Sequence, residues 1–91
     1  MIRKYSPEFI KSLKKKDVRI RKSFKKKIAI FAKNPRDSKL RNHSLKGEYK
    51  GFRSIDISSD YRALYTEKNE GDEVIAYFEE IGTHDELYKN H

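Results

Sequence analysis

"FRSIDISSDYRALYTEKNEGDEVIAYFEEI", residues 52–81, is the stretch whose reading decides the fold. Before it, apolar residues recur at helical spacing. Within it the period shortens toward the two-residue alternation of a strand. "FRSIDI" (52–57) and "YRALYT" (61–66) read as strands joined by the short turn "SSD". "EKNEGD" (67–72) reads as the next turn, with Gly71 able to take a positive φ. "EVIAYFEEI" (73–81) reads as the third strand, apolar on both faces like a central strand covered on both sides.

Upstream, "IRKY" (2–5) is a short strand candidate. Ser6 can cap a helix whose first position suits Pro7, and Phe9 and Leu13 share one face of it. Asp17 can cap a second helix, in which Ile20, Phe24, Ile28 and Phe31 form one apolar stripe among lysines. Asn34-Pro35 stops that helix, because proline disfavours helix at the residue before it. Residues 35–50 read as a polar, basic loop with a helical turn around 36–41, anchored by Leu40 and Leu45. After the meander, "THDE" (83–86) fits a capping box opening a short last helix. The expected fold is α+β: an N-terminal strand and two helices packed on a small antiparallel sheet, then a short C-terminal helix. The helical pair must cover one sheet face, since neither layer can bury its apolar side alone.

The 91 residues suggest one domain, 1–91, with a thin core, no internal repeat and no linker. There is no cysteine, hence neither a disulfide framework nor a thiolate metal site. No apolar run approaches the roughly 20 residues that span a membrane, and no signal-peptide core follows Met1, so a soluble cytoplasmic protein is expected. Net charge is +8, unevenly spread. Residues 1–50 hold 18 Lys or Arg against 4 Asp or Glu, a balance of +14; residues 51–91 hold 4 against 10, a balance of −6. Such asymmetry points to a polyanion partner, nucleic acid foremost, or to a solvated lysine-rich helix face.

The meander's connectivity brings Asp56, Asp60, Tyr61 and His84 to one rim of the sheet. Register stays open by one residue, and one residue reverses faces. A histidine beside carboxylates suits acid–base work near neutral pH. From spacing alone the plainer account is that His84 is the first residue of a capped helix. His43 sits in the basic loop "LRNHSLKG", where Lys39, Arg41, Lys46 and Lys50 would draw a phosphate backbone near. His91 ends the chain, where a frayed terminus is expected. Arg53 and Arg62 lie inside strands; each would pair with Asp56, Asp60 or Glu79, or hold a phosphate bidentately. Tyr61, Tyr65, Tyr77 and Tyr88 offer aromatic faces, some for the core and some for stacking on bases. The histidines are too widely spaced for a metal site, and "GEYKG" (47–51) lacks the context of a phosphate loop.

"HSLKGEYKGFRSIDISSDYRALY" followed by "IAYFEEIGTHDELY" resembles the RelE/ParE superfamily of bacterial toxins, most closely its YafQ branch. The motifs that carry the likeness are H-x-L-x-G, G-[FY]-R, a D-[YW] pair opening a strand, and G-[TS]-H-x-x-L-[FY]. The resemblance implies a toxin that cleaves messenger RNA in the ribosomal A site without a metal or other cofactor, and that is held by a cognate antitoxin. It assigns catalytic roles to His43, Asp60 and His84, with Tyr61 and Tyr88 as the adjacent aromatics. Arg62 matches the arginine of the wider group. Asp56 stands where some YafQ-like toxins carry a histidine. The implied chemistry is attack of an RNA 2′-hydroxyl on its own 3′-phosphate, with His84 as acid and His43 or Asp60 as base. Arg62, Arg53 and Lys46 would surround the phosphate, and Tyr61 and Tyr88 would hold a base. The rival readings are a ParE-like gyrase inhibitor that acts by protein binding, and an inactive RNA-binding relative.

Overall fold

Two side-chain caps set the helical layer. In the computed structural model, which describes residues 1–88, strand β1 (Ile2–Tyr5) runs directly into helix α1 (Pro7–Lys14). Ser6 Oγ accepts the Phe9 N–H at 3.0 Å, and Pro7 occupies the first turn, as its missing N–H allows. Asp17 caps helix α2 (Val18–Lys33), accepting the Arg19 and Ile20 N–H groups at 2.7 and 3.4 Å. Those backbone donors hold its carboxyl below the usual range. Asn34 ends the helix in an extended conformation ahead of Pro35.

The remaining strands are β2 (His43–Ser44), β3 (Phe52–Asp56), β4 (Tyr61–Glu70) and β5 (Glu73–Thr83), followed by helix α3 (His84–Tyr88). They form one five-stranded sheet in the order β1-β5-β4-β3-β2. The meander is as read from the sequence, but the sheet is mixed, not wholly antiparallel, because β1 joins β5 in parallel with Tyr5 opposite Phe78. The basic loop also contains structure. Its helical turn is the 3-10 segment Ser38–Leu40, a second covers Gly47–Tyr49, and β2 pairs His43 with Ser54. A two-residue strand has no periodicity to read. The expected turn at 67–72 tightens to Gly71-Asp72: β4 continues to Glu70, opposite Glu73, and Gly71 takes φ +60°. The polar residues 67–70 extend the hairpin beyond the core, so they lack the apolar alternation that marks a strand.

Both helices cover one face of the sheet. Phe9, Phe24, Phe31, Ile55, Tyr65 and Phe78 are buried there, with Leu40 sealing the loop side. Phe78 is the hub, with ring centroids 5.0 to 5.8 Å from Tyr65, Phe31, Tyr5 and Phe9, mostly in the tilted or edge-on arrangements that aromatic pairs favour. The stripe on α2 is realised with Phe24 and Phe31 buried and Ile20 and Ile28 half-buried. Strand β5 carries a bulge: Leu64 faces Glu80 while Tyr65 faces Phe78, leaving Glu79 as the extra residue. Phe78 and Ile81, three apart, therefore both join the core under the helices.

Candidate active site

Alternation gives the other face of the sheet the intervening residues. Asp56 lies beside Arg62, and Arg62 beside Gly82. Gly82 has no side chain to hold α3 away: a Cβ there would meet Glu86 Oε1 at 3.3 Å and Leu87 Cδ2 at 3.5 Å. Helix α3 thus leans over this face, leaving a cleft of about 420 Å³. Ser54, Asp56 and Arg62 come from the strands; Arg41, His43 and Leu45 line the loop side; His84 and Tyr88 come from α3.

The loop side is latched from behind by Asn42. Its Nδ2 donates to the Pro35 carbonyl at 2.9 Å and to the Tyr65 hydroxyl at 2.8 Å, while its Oδ1 accepts from Arg53 Nε at 2.8 Å. Its neighbours in sequence both line the cleft. Arg41 has φ +48°, and its carbonyl meets His43 Nδ1 at 2.9 Å. A carbonyl can only accept, so Nδ1 carries the proton and Nε2 keeps the lone pair when the ring is neutral.

On the floor, Asp56 serves two arginines. Arg62 Nε lies 3.1 Å from one oxygen and Arg41 Nε 3.6 Å from the other. Arg62 Nη1 also donates to the carbonyls of Ser58 and Tyr61 at 3.0 Å and of Ser59 at 3.3 Å. This arginine binds together the turn between β3 and β4. The Ser54 hydroxyl is buried without a well-formed hydrogen bond among the described residues; the nearby Tyr88 hydroxyl interacts with it only loosely.

The third wall is fixed by the expected capping box. Glu86 Oε1 accepts the Thr83 N–H at 2.8 Å, and Thr83 Oγ1 accepts the Glu86 N–H at 3.0 Å. The Thr83 bond holds the Glu86 carboxyl below its ordinary range. The His84 N–H donates to the Asp60 carbonyl at 3.1 Å, tying α3 to the β3–β4 turn. The His84 ring is exposed, with its Nδ1 3.9 Å from Asp85, and packs on Tyr88 at 4.6 Å between centroids. Burial pushes the Tyr88 hydroxyl up, so it stays protonated at neutral pH and offers a ring face and a donor, not a base. Tyr49 supports it edge-on at 5.5 Å and donates its hydroxyl to the Leu87 carbonyl at 2.8 Å.

Of the residues singled out in the sequence, His43, His84, Tyr88, Asp56 and Arg62 meet in this cleft. Four do not line it. Asp60 reaches the rim with its backbone, and its exposed side chain is outside the lining. Tyr61 packs against the core under the helices, with the Lys16 ammonium 5.9 Å from its ring centre, because it alternates with Arg62. Arg53 alternates with Ser54 and turns to Asn42, not to the carboxylates offered for it. Lys46 is exposed just ahead of the turn Gly47–Tyr49. His91 lies outside the described residues. Ser54 is a lining residue that sequence reasoning missed, and Arg41 was named only among the cations around His43. Nothing in the spacing of Arg41 sets it apart; only the fold tells cleft from surface. Among the described residues, no group of three or more His, Cys, Asp or Glu side chains is placed to hold a metal ion.

Solved structures with this build include bacterial toxins. YafQ from E. coli strain BL21(DE3) superimposes with a TM-score of 0.73 at 24% identity, over 94% of this chain and 96% of that one. A YoeB/ParE toxin from Agrobacterium tumefaciens gives 0.72 at 18% identity, over 92% and 99%. YafQ in the E. coli DinJ-YafQ complex gives 0.65 at 25% identity, over 94% and 96%. Comparison with curated protein sequences gives no match. The fold is thus the one shared by toxins of the RelE/ParE superfamily. Residues 2–89 match the family model for the bacterial toxin of the type II toxin-antitoxin system, YafQ. The chain belongs to the YafQ family.

Proposed function

We propose that this chain acts as a single toxin domain that cleaves messenger RNA, in the ribosomal A site, by attack of a 2′-hydroxyl on the adjacent 3′-phosphate. His43 Nε2 takes the 2′-hydroxyl proton, and O2′ bonds to phosphorus. The bond to the 5′-oxygen breaks with its electron pair, and His84 supplies the proton to that leaving group. The products carry a 2′,3′-cyclic phosphate and a 5′-hydroxyl. Tyr88 stacks on a base. The observation that carries this reading is the Nδ1 bond of His43 to the Arg41 carbonyl, which leaves Nε2 as a base in the same cleft as His84. It favours His43 over Asp60 as the base, since Asp60 does not line the cleft.

The basic first half supplies a surface for ribosomal and messenger phosphates, so binding falls steeply with salt. YafQ of E. coli is found in complex with DinJ; this chain too would have a cognate antitoxin, one that covers the cleft.

The test is cleavage of a reporter message on translating ribosomes. His43→Ala and His84→Ala should each lower the rate by about 10²–10⁴-fold with unchanged circular dichroism. The pH–rate profile should be bell-shaped. His43 must be neutral, so its loss removes the acidic limb; His84 must be protonated, so its loss removes the alkaline limb. A 2′-deoxy residue at the scissile position should block cleavage; cutting there would exclude this chemistry. Growth arrest with intact messages and inhibited gyrase would favour the ParE-like reading.

A further inference from the structure

We propose that Arg41 is a further catalytic residue, the cation that holds the scissile phosphate, and that Asp56 keeps its guanidinium in the cleft until RNA arrives. This rests on the endoribonuclease reading. The reaction piles negative charge on the non-bridging oxygens, and a guanidinium aimed at them stabilises it. Arg53 and Lys46 lie outside the cleft lining. Arg62 lines it, but its donors are committed. Nε goes to Asp56, Nη1 to three carbonyls, and Nη2 to Ser59 at 3.4 Å, with 18% of the side chain exposed. Turning it to a substrate would dismantle the turn that carries the Asp60 carbonyl to the His84 N–H.

Arg41 is the opposite case. Its side chain is 78% exposed, its one ion pair is the loose 3.6 Å contact to Asp56, and both Nη groups lack an acceptor among the described residues. Two arginines on one carboxylate leave the cleft floor with a surplus positive charge, which an anion would neutralise. The backbone adds an independent argument. Arg41 is the one non-glycine residue with positive φ among those described. Glycine or asparagine would sit there more easily, so an arginine at that position argues for a use of its side chain. Its carbonyl also orients His43. Base and phosphate-binding cation are thereby fixed two residues apart, matching a nucleophile and a phosphate borne on one ribose. When substrate binds, Arg41 exchanges the Asp56 carboxylate for a phosphoryl oxygen, and no proton moves in that exchange.

The decisive variant is Arg41→Gly, which relieves the backbone while removing the cation. It should melt no lower than the wild type and cleave at least tenfold more slowly. Millimolar guanidinium added to Arg41→Gly should restore part of the rate and do nothing for His84→Ala. A purely structural role would not be rescued in this way. Lys68→Gln, remote from the cleft, controls for lost net charge. Cleavage by Arg41→Gly within twofold of wild type would overturn the inference and leave the endoribonuclease reading intact. A second arm does not need cleavage: inorganic phosphate titrated into wild type should shift the His43 and His84 ring resonances, and Arg41→Gly should abolish the shifts. Phosphate binding through Arg41 without RNA cleavage by the wild type would sink the nuclease reading and keep the anion site. Equal phosphate shifts in both proteins would sink the site.

Discussion

The two faces of this sheet are built from alternate residues of the same strands, and they differ in what holds them. On the helix side Ile55, Ala63, Tyr65 and Phe78 are sealed beneath α1 and α2. On the cleft side their neighbours Asp56 and Arg62 are held by charge-assisted hydrogen bonds and, with Ser54, line the cleft. Apolar burial stabilises in proportion to area, whereas an ion pair gives back much of its attraction in lost hydration. The contrast teaches that stability and chemistry here are set on separate residues one position apart. Substitutions on one face should register mainly in melting, those on the other mainly in rate.

The largest expected effect is on the helix side. Phe78→Ala removes the ring on which five aromatic neighbours converge. It should cost about 3–5 kcal/mol, a large share of a small domain's stability, in urea unfolding. A loss under about 1 kcal/mol would deny the hub its place. Asn42→Ala tests where the separation fails. Asn42 is bonded on the helix side, yet its neighbours Arg41 and His43 line the cleft. Leaving Arg53 and the Pro35 carbonyl short of a partner should cost about 1–3 kcal/mol and also slow cleavage, through displacement of the base. Full activity at reduced stability would show that the latch does not position His43. The smallest effect is electrostatic. Glu86 is held ionised by the Thr83 N–H, so its folded pKa lies below its unfolded one. Its contribution is present above the unfolded value of about 4.3 and is lost as pH falls through the folded value. Acid melts of wild type should therefore weaken more than those of Glu86→Gln, which keeps a capping side chain without a titrating charge. Parallel pH dependence would remove Glu86 as the cause.

The caps were legible because each is local: Ser6 before Pro7, Asp17 before Val18, and Thr83 three residues ahead of Glu86. The α2 stripe and the meander were legible because their periods run over many residues. The faces of Tyr61 and Arg53 were not, since period two fixes alternation and leaves its phase to long-range pairing. Strand β2 was hidden by its length, and Asn42 by a network spanning three separate parts of the chain. The histidines could be named from motifs, but the partner that orients His43 is a main-chain carbonyl, which every residue carries.

The bulge at Glu79 has a bearing on how this chain can vary. It shifts the parity of the strand. Up to Phe78 even-numbered residues face the helices; beyond it Ile81 does, and Gly82 is freed to lie under α3. A regular strand of the same length would exchange the two roles, sending Ile81 toward the cleft and Gly82 into the core, whereas deleting Glu79 would leave Phe78 and Ile81 two apart on the helix face. The irregular pairing at this point is therefore as much a determinant of the site as any side chain in it, because it is what lets three residues, Glu79, Glu80 and Ile81, cover the span of two on β4.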